Sequence, residues 1–143
     1  MACGRKATLP NRKTGEAQWV KIFQDLTALI DSSGLCLFTS FALDLDDYKD
    51  LINAATGYNF TAEEILSIGE RIWNLERKFN LNAGISPAED KLPDRFLNEP
   101  LPDRPQKDAV VHLDKLLPEY YKIRGWFEKR IFYTSLLIKA VSS

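Results

Sequence analysis

Thr61-Ala-Glu-Glu-Ile-Leu-Ser-Ile-Gly-Glu-Arg-Ile-Trp-Asn-Leu-Glu-Arg-Lys-Phe-Asn80 has the strongest periodic signal in the chain. A threonine followed three residues later by glutamate is a capping box, in which each side chain satisfies an amide left free at a helix start. Ile65, Ile68, Ile72, Leu75 and Phe79 then recur at three- and four-residue intervals. That spacing places them on one face of a helix and predicts that they point into a core.

On the N-terminal side the same pattern occurs twice more. Asp44 is suited to cap a helix from Leu45 to Ala55, with Tyr48, Leu51, Ile52 and Ala55 as its stripe and Gly57 as its stop. Thr14 is placed to cap an earlier helix from Glu16 to Ile30. Its apolar face would hold Trp19, Phe23, Leu26 and Ile30, and Gly34 would lie just past its end. Downstream, the proline-rich stretch from Gly84 to Pro105 reads as an irregular surface connection. A further helix follows from Val111 to Ile123, with Pro118 starting or kinking its second half. Alternation of apolar and polar residues is never sustained, so no strand is expected. The fold class is all-α, a small irregular helical bundle. Residues 1–15 read as a polar basic lead-in, 16–126 as the helical domain and 127–143 as a separate C-terminal tail.

With 143 residues the chain has the length of a single domain, and 45% hydrophobic and 11% aromatic content is too apolar for a disordered segment. The formal net charge of −1 gives no electrostatic case for nucleic acid or an acidic membrane as partner. The longest apolar runs, Leu35–Leu43 and Tyr133–Val141, are about half the length needed to cross a bilayer. The first residues have no apolar signal core, so a reduced, cytoplasmic setting is expected. Cys3 and Cys36 then count as thiols rather than as a disulfide framework. His112, the one histidine, is insufficient for a multi-histidine metal site and reads as a helix-start or surface residue.

Three segments bear chemistry. In Asp31-Ser-Ser-Gly-Leu-Cys36 a carboxylate and a thiol flank a glycine turn at a helix end. A thiolate there can ligate iron in an iron–sulfur cluster, and the carboxylate can accept hydrogen bonds from ring N–H groups. The plainer alternative is a helix-end aspartate and a buried cysteine acting as a small hydrophobe. In Gly69-Glu-Arg-Ile-Trp-Asn-Leu-Glu-Arg77, pairs one turn apart suit a solvated or interhelical ion-pair face. Glu119-Tyr-Tyr-Lys-Ile-Arg-Gly-Trp126 interleaves rings with Lys122 and Arg124, which suits base stacking. No basic groove accompanies it, and helix packing beside Leu116 and Leu117 is the simpler reading.

Taken in order, these segments carry a resemblance. They are Trp19-Val-Lys, Gln24-Asp-Leu-Thr-Ala, Ile30-Asp-Ser-Ser-Gly-Leu-Cys-Leu-Phe38, Ala54-Ala-Thr-Gly57, the Gly69–Arg77 run, Phe79-Asn80, Leu92-Pro-Asp-Arg-Phe96, Glu99-Pro-Leu-Pro-Asp103, Glu119-Tyr-Tyr121 and Arg124-Gly-Trp126. From Ala17 to Trp126 the chain closely resembles the C-terminal helical region of the tungsten-containing aldehyde ferredoxin oxidoreductase family. That family oxidises aldehydes to carboxylic acids at a tungsten held by two molybdopterin-type cofactors, and a 4Fe–4S cluster passes the electrons to ferredoxin. The resemblance implies that Asp31 hydrogen-bonds the ring nitrogens of one pterin and that the Leu35 backbone lies against it. It also implies that Cys36 is the fourth cluster ligand.

The departures limit what this chain is expected to do. The other three cluster cysteines belong to an upstream Cys-x-x-Cys-x-x-x-Cys motif in the family, and Cys3 has no such context. The family's cofactor-binding β-rich domain and its active-site Glu and His have no counterpart here. Asn82-Ala83 stands where Arg-Glu is common, Asp103-Arg-Pro-Gln lacks the usual glycine, and the basic, aromatic 127–143 replaces an acidic turn and Leu-rich helix. The expected object is therefore a fragment or separately encoded piece that is inactive alone and completed by the enzyme's N-terminal domains. Two alternatives remain: a non-catalytic helical interaction domain, and a related tungsten or molybdenum oxidoreductase acting on a non-aldehyde substrate. An exposed apolar patch beside Cys36 would favour a missing catalytic partner.

Overall fold

The structure, a computed structural model, describes residues 15–100, 108–127 and 130–131. The basic lead-in, the Thr14 cap and most of the 127–143 tail lie outside these residues. The helix order is α1 (Glu16–Ser32), α2 (Leu45–Thr56), α3 (Ala62–Asn82), α4 (Asp94–Asn98) and α5 (Leu113–Arg124). The architecture is the expected all-α bundle, with three additions, the first of them α4 inside the stretch that reads as an irregular connection. Leu37–Phe41 and Pro87–Glu89 form 3-10 turns, so the proline-rich connection has more local order than its composition suggested. After Gly125, whose φ of 67° reverses the chain, β1 (Trp126–Phe127) pairs antiparallel with β2 (Arg130–Ile131).

The caps follow the sequence closely. Thr61 Oγ1 accepts from the Glu64 amide, and the Glu64 carboxylate accepts from the Thr61 amide at 2.8 Å. Asp44 and Asp47 form the same reciprocal box at the start of α2. At the start of α1 the N-cap position is Gly15, with φ 118° and no side-chain cap.

Three helices make the core, with α1 packed against both α3 and α5. Ala17, Tyr120 and Trp126 are buried together, and Trp73, Leu116, Leu117, Tyr121 and Ile123 pack around them. The α1–α3 crossing is set by Gly69: a Cβ there would stand 2.1 Å from the Asp25 carbonyl oxygen. No residue with a side chain fits that approach.

The expected core stripes are only half right. Ile30 and Ile65 are buried, but Phe23 of α1 and Leu75 and Phe79 of α3 are exposed. In the second half of α3 the inward positions belong to Trp73, Asn74 and Arg77, whose polar atoms find partners on α5 and beyond. The apolar residues Leu75 and Phe79 are turned outward in consequence.

Candidate functional site

The Gly69–Arg77 and Glu119–Trp126 segments, distant in sequence, meet in one polar and aromatic cluster. Arg124 is 5% exposed and Asp25 is 3% exposed. The Arg124 guanidinium donates to Asp25 Oδ1 at 2.5 Å and to Gln24 Oε1 at 2.9 Å. Lys21 Nζ reaches the other Asp25 oxygen at 2.8 Å and Glu70 at 3.1 Å. Tyr120 Oη donates to Gln24 Oε1 at 2.6 Å and accepts from Trp73 Nε1 and Arg124 Nε. Trp126 Nε1 donates to Asn74 Oδ1 at 2.8 Å. Among the described residues no buried side-chain polar atom lacks a partner. The interhelical ion-pair reading is thus correct, and the rings pack helices rather than standing free for bases.

Beside this cluster is a cavity of about 550 Å³, lined in part by Trp73, Arg77, Asp90, Leu116, Tyr121 and Trp126. Its polar wall is self-satisfied. Arg77 Nη1 donates to Asp90 Oδ1 at 2.7 Å, and Tyr121 Oη donates to Asp90 Oδ2. Burial, then the hydrogen bond to Asp90, push the Tyr121 phenol up to about 12. The folded state therefore holds the Tyr121 proton more tightly than the unfolded chain does. Its contribution to stability is complete below pH 10 and is lost as pH rises towards 12. A denaturation series over that range should show stability falling with pH, and Tyr121→Phe should flatten the slope. An unchanged slope would refute the assignment.

The Asp31–Cys36 segment has a different character. Asp31 lies in the last turn of α1, is exposed, and its carboxylate has no partner among the described residues. By helical spacing it shares a face with Val20, Phe23 and Thr27, and Val20 and Phe23 are exposed there. Ser33 Oγ donates to the Ile30 carbonyl at 2.7 Å, closing the helix end. Gly34 turns the chain at φ 78°, a conformation that costs a side-chain-bearing residue about 1–2 kcal/mol. Leu35 is half-buried, and its amide makes only a long 3.4 Å contact with Ser33 Oγ. Cys36 is a free, exposed cysteine. The plainer alternative of a buried hydrophobic cysteine is therefore overturned.

An apolar apron follows the thiol at once. Leu37 is exposed, as are Phe38 at 76% and Phe41 at 86%, and the two phenylalanine rings stack with centroids 6.0 Å apart. Behind the turn stand Thr39, which the sequence did not single out, and Tyr48, which it placed only on the apolar stripe of α2. Thr39 Oγ1 donates to the Cys36 carbonyl at 2.7 Å and lies 2.7 Å from Tyr48 Oη. The three-residue spacing from Cys36 to Thr39, typical of hydroxyl-closed turns, was the one available signal. Among the described residues no three His, Cys, Asp or Glu side chains are grouped to hold a metal. His112 is exposed at the N-cap of α5. No helix of the described residues is long and apolar enough to cross a membrane.

Among the described residues Cys36 is the one accessible thiol, and a thiolate is a ligand for iron while a carboxylate accepts from ring N–H groups. A family profile described as aldehyde ferredoxin oxidoreductase, domains 2 & 3, matches residues 4–135. The chain is 64% identical over 108 residues to the tungsten-containing aldehyde ferredoxin oxidoreductase of Pyrococcus furiosus, covering 75% of this chain and 18% of that relative. The enzyme of the same name from Thermococcus kodakarensis is 61% identical over 108 residues, with the same coverage. That of Pyrococcus abyssi is 59% identical over 114 residues, 79% of this chain and 19% of that relative. The chain thus spans about a fifth of the length of the curated relatives it matches.

Proposed function

Because this chain belongs to the aldehyde ferredoxin oxidoreductase family, we propose that it is the C-terminal helical part of a cytoplasmic enzyme that oxidises aldehydes to carboxylic acids and delivers the electrons to ferredoxin. In this reading the complete enzyme holds a tungsten bis-pterin and a 4Fe–4S cluster, which supply the two-electron oxidation and the exit of electrons one at a time. The chain's own residues have three tasks. The Asp31 carboxylate accepts hydrogen bonds from the ring N–H groups of one pterin and thereby orients it. The Leu35 backbone, carried by the Gly34 turn, would lie against the same pterin. The Cys36 thiolate binds one iron, while three further thiolates come from the remainder of the enzyme.

One observation carries this reading. A free thiol and a carboxylate without a partner among the described residues stand at the two ends of one exposed turn, and exposed Leu37, Phe38 and Phe41 border it. Apolar surface of this kind beside ligand-type side chains calls for a covering partner. The N-terminal domains of the enzyme, or a separately encoded subunit, meet both needs. One carboxylate and one thiol cannot hold either cofactor, so the isolated chain is inactive.

The test is anaerobic purification from the native host with metal analysis. The chain is expected with a larger polypeptide, tungsten and iron, and Cys36→Ser should deplete the cluster iron. Recovery of the chain alone and metal-free would favour a non-catalytic interaction domain instead. Full iron in the Cys36→Ser protein would refute the ligand assignment.

A further inference from the structure

Cys36 is held more closely from its downstream side. Upstream, the Gly34 amide reaches the Asp31 carbonyl at 3.3 Å and the Leu35 amide reaches Ser33 Oγ at 3.4 Å, both long bonds. Downstream, two donors of one residue converge on the Cys36 carbonyl, the Thr39 amide at 2.9 Å and the Thr39 hydroxyl at 2.7 Å.

The direction of the next bond follows by counting protons. A threonine hydroxyl has a single proton, and Thr39 gives it to Cys36. The 2.7 Å contact with Tyr48 must therefore have the phenol as donor and Thr39 Oγ1 as acceptor. Tyr48 is among the most deeply buried side chains and sits in the first turn of α2, just behind the Asp44–Asp47 capping box. A buried phenol needs a partner, and here its partner is the thiol-bearing turn.

We propose that Thr39 and Tyr48 are positioning residues for the Cys36 thiolate, acting as a two-hydroxyl relay that ties the Cys36 peptide plane to α2. This rests on the reading of Cys36 as a cluster ligand. An exposed cysteine loses conformational freedom when it binds iron, and a turn already fixed by the relay reduces that loss.

Two measurements test the relay. In the 143-residue chain, Tyr48→Phe keeps the ring and removes one hydroxyl. Hydrogen exchange at the Thr39 amide is expected to quicken about three- to tenfold, the equivalent of one ordinary hydrogen bond. Amides of α1 and α3 should be unaffected. Thr39→Val should give the same acceleration of that amide, and Thr39→Ser, which keeps the hydroxyl, should restore slow exchange. Unchanged exchange at residue 39 in both Tyr48→Phe and Thr39→Val would overturn the relay.

The second readout uses the assembled, cofactor-bearing enzyme. Tyr48→Phe and Thr39→Val should retain full iron yet shift the electron paramagnetic resonance spectrum of the reduced cluster. A spectrum identical to that of the unmodified enzyme would overturn the positioning role. Retention of iron by Cys36→Ser would instead refute the ligand reading, so the two failures are distinguishable.

Discussion

Gly69→Ala is expected to cost about 3 kcal/mol of stability or more, even though alanine is the better helix former. In an open helix interior this substitution would stabilise by about 1 kcal/mol. Here the new Cβ would stand 2.1 Å from the Asp25 carbonyl oxygen and 2.8 Å from its carbon. Non-bonded atoms of this kind settle at about 3.5–4.0 Å, so the helices must part by more than about 1 Å. The obstructing atoms are backbone, and no rotamer change relieves them. Separation of α1 from α3 also draws Lys21 away from Glu70. Urea denaturation measures the effect, with Gly57→Ala as control. Gly57 has φ 77° and nothing within 4 Å of its Cβ position, so it should lose only the backbone cost of about 1–2 kcal/mol. A Gly69→Ala protein as stable as the original would show that the helices do not cross this closely.

Arg124→Ala is the second large effect, with an expected loss of about 3–5 kcal/mol. Truncation leaves the Asp25 charge buried with Lys21 as its one cation, and it removes donors from Gln24 and Tyr120. It also removes a guanidinium lying over the Trp73, Tyr120 and Trp126 rings. Arg124→Lys should recover little of this, because an ammonium does not present a planar fork to Asp25, Gln24 and the Lys21 carbonyl together. A double-mutant cycle with Asp25→Ala separates the pair from its surroundings. The double variant should lose clearly less than the sum of the single losses, because no unpaired charge is left behind. Strict additivity would mean that the two residues do not act on each other.

The sequence was most legible where a side chain answers to its own backbone. Thr61 with Glu64, and Asp44 at the start of α2, announce helix starts because the bonds they make are local. Periodicity was less informative, since it cannot distinguish a face turned to the chain's own core from one turned elsewhere. Phe23, Leu75 and Phe79 have core spacing and stand exposed. The real interior includes Asp25, Asn74 and Arg124, polar residues that composition assigns to the surface and that are buried only because distant partners meet them. Gly69 was visible as part of a motif, but its role as the crossing point depends on α1 and has no local signature. The turn from Asp31 to Cys36 was legible as chemistry and as a resemblance. Thr39 and Tyr48 behind it were not, because nothing in a lone tyrosine tells where its hydroxyl points.

Helix α1 places the buried Asp25 and the exposed Asp31 about 9 Å apart along its axis. Its two sides therefore answer to different masters over the course of inheritance. Changes at Ala17, Asp25 or Ala28 are judged by the fold of this chain, whatever it joins. Changes at the exposed Asp31 disturb that fold least, and under the proposed function they are judged by the cofactor that it meets. Drift on the inner side must be matched on α3 or α5, which pack against it.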